Sequence, residues 1–151
     1  MTVASPPLAR WLGYAGLLPQ IAFAATAWRG PEAWQDDARW FALHYAALIV
    51  TFLGGAWWGL LSGAPAAGRR RTHEWGWVFA VLPSLLALAL YVALRLTNVP
   101  LEVALVTLGG TLLFSPFVDW RLRALAPPWW LGLRVPLSLG LGALTVAIAL
   151  A

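Results

Sequence analysis

The sequence predicts an all-α integral membrane bundle of five transmembrane helices, with the N-terminus inside and the C-terminus outside. Three observations lead there. Of 151 residues, 61% are hydrophobic and 11% are charged, with a mean hydropathy of +0.74, far from the half-apolar, quarter-charged composition of soluble domains. Five stretches, 11–28, 40–68, 75–94, 103–118 and 135–151, contain no Asp, Glu, Lys or Arg. The basic residues, all Arg, concentrate in alternate connections.

A helix rising about 1.5 Å per residue needs about 20 residues to cross a hydrocarbon core of about 30 Å. Each charge-free stretch meets this if flanking charges snorkel to the interface. The spans are 9–28, 41–62, 76–95, 101–119 and 130–150, in one membrane domain covering 1–151. Strands are disfavoured because Leu and Ala dominate and no two-residue alternation recurs, which a barrel would require.

The first span carries Pro19 beside Gln20 near mid-depth, and Ala22-Phe23-Ala24 resembles a signal-peptide cleavage pattern. It is read here as a retained span. In the second span Ala47, Thr51, Gly55, Gly59 and Gly63 recur every four residues, a strip of small side chains that lets another backbone approach. The partner lies in this chain or in another, as a membrane protein partner or a second copy. The third span contains Pro83-Ser84, the fourth Gly109-Gly110-Thr111, and the fifth Ser138, Gly140 and Gly142. Together with Gly54-Gly55 these form a level of helix-weakening residues, which reads as kinks first and as a polar pocket second.

Orientation follows from Arg placement. With the N-terminus inside, the inner segments hold Arg10, Arg69, Arg70, Arg71, Arg121, Arg123 and Arg134, and the outer ones Arg29, Arg39 and Arg95. Trp11, Trp28, Trp40, Trp75, Trp77, Trp120, Trp129 and Trp130 fall near span ends, where an indole buries its ring and keeps its N–H wet.

Chemistry-bearing residues are few. The chain has no cysteine, which excludes disulfides and thiolate chemistry. No catalytic residue, metal site or nucleic-acid partner is expected. The candidate ligand-binding residues are Gln20, His44, Tyr45 and Ser84. A central amide such as Gln20 is costly in hydrocarbon without a partner. No cofactor is predicted, although His44 is the one histidine placed to reach a haem, a chlorin or a quinone carbonyl. His73 lies beside Arg69, Arg70 and Arg71 in a basic loop that reads as a topology signal and then as an anionic-lipid contact. Asp119 and Arg134 could pair across the bundle; the preferred expectation is that both snorkel.

Four motifs in order, Leu12-Gly13-Tyr14-Ala15-Gly16-Leu17-Leu18-Pro19, Phe52-Leu53-Gly54-Gly55-Ala56-Trp57-Trp58-Gly59, Val81-Leu82-Pro83-Ser84-Leu85-Leu86-Ala87, and Pro128-Trp129-Trp130 with Leu133-Arg134-Val135-Pro136-Leu137-Ser138, resemble the transmembrane protein 69-like family, also called domain of unknown function 3429. The resemblance covers nearly the whole chain. It implies a small multi-pass protein of bacterial inner membranes, with mitochondrial inner-membrane relatives and no settled activity. Members often carry a basic or imidazole side chain where this chain has Trp57. The expected function is a non-catalytic accessory, assembly or lipophile-binding protein; the alternative is a small transporter or channel with a mid-membrane polar site.

Overall fold

A computed structural model describes residues 5–64 and 74–151. The basic loop with Arg69, Arg70, Arg71 and His73 lies outside the described residues. Six helices follow in order: α1 Pro7–Ala15, α2 Leu18–Arg29, α3 Glu32–Gly63, α4 Glu74–Leu96, α5 Leu101–Arg121 and α6 Trp130–Ala149. No strand occurs among the described residues.

Four of these helices, α3 to α6, are long and apolar enough to cross a membrane. The first span expected from the sequence is instead broken between Ala15 and Leu18 into helices of 9 and 12 residues, each too short to cross a core of about 30 Å alone. Pro19 causes the break, since it has no N–H to continue the ladder. The missing N–H leaves the Ala15 carbonyl without its donor four residues on, and the adjoining Gly16 carbonyl accepts a hydrogen bond of 2.6 Å from the Tyr45 hydroxyl. The two pieces still run alongside α6 in its own direction: Gly13 lies beside Leu133 and Leu137, and Leu17 beside Gly140. Farther on, the Trp28 indole donates to the Ala147 carbonyl at 3.1 Å.

The second expected span, 41–62, is the inner part of a 32-residue helix. At about 1.5 Å per residue α3 exceeds the hydrocarbon thickness, so its first turns, with Glu32, Asp36, Asp37 and Arg39, extend beyond the apolar segment. Gly54-Gly55 does not interrupt it. The other three spans match α4, α5 and α6 to within about two residues, the scatter ordinary for helix ends.

The central helix is α3, which buries Ala42, Leu43, Ala46, Val50, Leu53, Trp57 and Leu61 at helical spacing. Packing distances are set by small residues, at other positions than the four-residue strip. Gly55, Gly59 and Gly63 meet nothing within 4 Å, so the glycine part of the strip faces outward and meets no other helix among the described residues, whereas Ala47 at its start is buried in the core. Gly54, one position away, lies directly against the Ala80 carbonyl of α4. That helix buries only Gly76, Ala80, Pro83 and Ala87, a narrow small-residue stripe turned to α3. Between α5 and α6, methyl groups built on Gly109 and Gly142 would lie 3.0 and 2.9 Å from each other's carbonyl oxygens. The two backbones touch there because neither residue has a side chain.

Candidate functional site

Two polar centres form where helix faces meet. The first is at the end of the bundle where α3 and α5 finish and α4 and α6 begin. Asp119, in the last turn of α5, is fully buried. Its Oδ1 accepts hydrogen bonds from the Trp57 indole N–H at 2.8 Å and the Trp130 indole N–H at 3.0 Å. Its Oδ2 accepts from Arg134 Nε at 3.2 Å. The preferred expectation for this pair is therefore corrected: neither residue snorkels, and the carboxylate is neutralised inside the protein by three donors from two other helices, α3 and α6. The geometry is not bidentate, for Arg134 Nη2 is buried without a partner. The Arg134 guanidinium also lies 5.7 Å from the Trp130 ring centroid, near enough for a cation–π contact. Trp130, expected as an interfacial anchor, is thus a hydrogen-bond donor to a buried charge.

One turn deeper, the buried Ser115 hydroxyl donates to Ser138 Oγ at 2.9 Å, linking α5 to α6. Farther along α6 the fully buried Gln20 donates through Nε2 to Thr145 Oγ1 at 2.8 Å, and Thr145 in turn donates to the Leu141 carbonyl at 2.7 Å. Gln20 Oε1 has no partner. Arg134, Ser138 and Thr145 fall on one face of α6, at spacings of four and seven residues, and form a polar seam interrupted by the Gly109–Gly142 contact.

The four residues expected to bind a ligand occupy separate settings. Gln20 is directed at α6 and Tyr45 at the Gly16 carbonyl. His44 is exposed, with Nδ1 2.7 Å from the Trp40 carbonyl and its ring 5.3 Å from that of Tyr91. Because a carbonyl only accepts, Nδ1 is the donor in this bond. Ser84 is exposed on α4. Thr51 bonds only the Leu48 carbonyl of its own helix. Replacing Gln20 by Leu removes one hydrogen bond and one unpartnered acceptor together. We expect a stability change of about 1 kcal/mol, read as a small shift in the unfolding midpoint during SDS titration of the detergent-solubilised protein. A loss several times larger would mean that the amide has a further partner.

Sequence reasoning missed Trp57, Trp130, Ser115 and Thr145 as members of these centres. A signal was present: Ser115 and Asp119 are four apart on α5, and Arg134, Ser138 and Thr145 share a face of α6. Two polar stripes in neighbouring apolar helices are satisfied most simply against each other.

A third feature is apolar. A groove of about 420 Å³ runs between α4 and α5, lined by Trp57, Phe79, Leu86, Ala89, Phe114 and Val118 among others. The helices separate here because α4 packs chiefly on α3. Trp57 belongs to both features, with its ring on the groove and its N–H on Asp119.

The fold and its buried centre define a class: a multi-pass α-helical membrane protein with an internally neutralised acid–base pair. Within that class, the chain belongs to the DUF3429 family, described as proteins of unknown function, which it matches over residues 5–150. No curated protein and no solved structure matches it.

Proposed function

We propose that this protein is a non-catalytic accessory protein of the bacterial inner membrane that binds a lipophilic molecule in the groove between α4 and α5. The observation that carries the reading is the groove itself: about 420 Å³ of apolar space, within the range of small-molecule sites. The charge-bearing residues support a non-catalytic role, since Asp119 is committed to three donors and Arg134 to Asp119. Their arrangement joins helices and leaves no free base beside a nucleophile. The broken segment α1–α2, running the length of α6, supports a fifth crossing, and the Arg distribution then supports N-in, C-out. The outward face of Gly55, Gly59 and Gly63 supports packing against a membrane partner or a second copy, in keeping with an accessory or assembly role.

Photolabelling tests the reading. In phosphatidylcholine vesicles doped with a phospholipid bearing a diazirine on its acyl chain, Leu82, Leu86 and Phe114 should be labelled above Leu48 and Phe52. Those last two residues are also exposed, but on the outer face of α3. Ala89→Trp, which fills the groove with an indole, should abolish the excess. Equal labelling of both faces would overturn the assignment.

A second reading, a small transporter or channel with a mid-membrane polar site, is favoured by the seam on α6 and by the unpartnered Gln20 Oε1. Flux through liposomes that depends on Gln20 would support it.

A further inference from the structure

The groove ends at an unneutralised guanidinium. Arg121, exposed in the last turn of α5, lies 5.6 Å from the ring centroid of Trp75 on α4 and 5.7 Å from that of Phe117 on α5. It therefore bridges the mouth of the gap between the two helices that form the groove. The aromatic walls are continuous with its lining: Trp75 meets Phe79 edge-on at 5.5 Å, and Phe117 lies 5.3 Å from Phe114. Phe79 and Phe114 both line the groove. Beyond Arg121, Arg123 lies 4.4 Å over the exposed Trp120 ring.

Neither Arg121 nor Arg123 forms an ion pair among the described residues. Two carboxylates stand at this end. Asp119 is buried and bound to Arg134; Glu74, in the first turn of α4, makes no ion pair with either Arg. Residues 65–73 contain no acid and add Arg69, Arg70 and Arg71 to the local sequence charge. The groove, by contrast, has no free hydrogen-bond donor to offer an anionic group. The Trp57 N–H is held by Asp119, and the Thr111 hydroxyl donates to the Thr107 carbonyl at 2.8 Å. An occupant must be apolar along its length and can be anionic only at the Arg121 end.

That division of chemistry describes a lipid with an acyl chain and an acidic head. We propose that the groove holds an acyl chain of an anionic phospholipid whose phosphate is bound by Arg121, with Arg123 adding to the field. The proposal rests on the groove being a lipophile site and names the class of its occupant. Guanidinium is the side chain whose planar donors match phosphate oxygens. Stacking on Trp75 and Phe117 holds it flat at the level where headgroups lie. From Phe79 to Ala89 the groove wall on α4 rises by ten helical steps, about 15 Å, a length suited to an extended acyl chain.

The full-length protein in phosphatidylcholine vesicles provides the test, with two acyl-diazirine probes at equal mole fraction, phosphatidylglycerol and phosphatidylcholine. The phosphatidylglycerol probe should label Leu82, Leu86 and Phe114 about fivefold more than the phosphatidylcholine probe, the discrimination expected for one additional charge near a basic residue. Arg121→Gln should remove that preference, and Arg121→Lys should retain most of it. Equal groove labelling by both probes in the wild type, still abolished by Ala89→Trp, would overturn the anionic-lipid assignment and leave the lipophile site standing. Labelling by neither probe above the level at Leu48 and Phe52 would overturn both. The wild-type comparison decides even if the Arg121 variants do not fold.

Discussion

Replacing Arg134 by Met is expected to destabilise the folded protein by about 3–5 kcal/mol, the usual cost of leaving one member of a buried ion pair without the other. When the helices are apart in the membrane, Asp119 and Arg134 lie near helix ends and can reach interfacial water. Folding buries Asp119 completely, and its charge is then offset by Arg134 at 3.2 Å and by two indole N–H groups. Without the guanidinium, the indoles alone face a desolvated anion. The double variant Asp119→Asn/Arg134→Met should recover most of the loss, because an amide oxygen still accepts from Trp57 and Trp130 and no charge is buried. SDS-titration midpoints of the two single variants and the double variant measure the coupling. Additive losses would show that the pair is not coupled.

The second large effect is expected at Gly142. A Leu side chain there would begin 2.9 Å from the Gly109 carbonyl oxygen and 2.7 Å from Leu113 Cγ, so α5 and α6 must separate. Overpacking of this kind costs about 1–3 kcal/mol, and more where backbone is the obstacle. This contact lies midway between the Ser115–Ser138 and Gln20–Thr145 bonds, so separation would also strain the neighbouring bonds. Gly59→Leu provides the contrast: nothing lies within 4 Å of the added carbon. Its unfolding midpoint should match wild type, and any effect should fall on association with another chain. Comparable destabilisation by both variants would contradict the outward placement of the α3 strip.

These two variants also show which features were legible in the sequence. Composition and charge-free length identified α4, α5 and α6 with nearly correct ends, because a helix in hydrocarbon must be apolar all along and charge marks where it stops. The same rule failed at the first span. Pro19 and the Tyr45 hydroxyl together divide it, and Tyr45 is 29 residues from the carbonyl it binds. It failed again at the start of α3, where a helix runs beyond the apolar region through acidic residues that prefer water. A four-residue recurrence of small side chains was visible on α3, yet the glycines in tight contact are Gly54, Gly109 and Gly142. Periodicity identifies a face; it does not say what the face meets.

Asp119, Arg134 and Gln20 stood out from the sequence because polar groups are rare in this chain. Their partners did not, since Trp57 and Trp130 are two of 11 tryptophans and any of them could have been an anchor. Sequence by itself determined the solvent of this protein, for the free energy of placing apolar side chains in lipid sums over residues regardless of how the helices are arranged. Tertiary structure alone decided which polar groups meet, which glycines touch and where α4 stands away from α5. Hydrogen bonds and close packing depend on distances of a few ångströms between residues far apart along the chain, and those distances exist only once the helices have assembled.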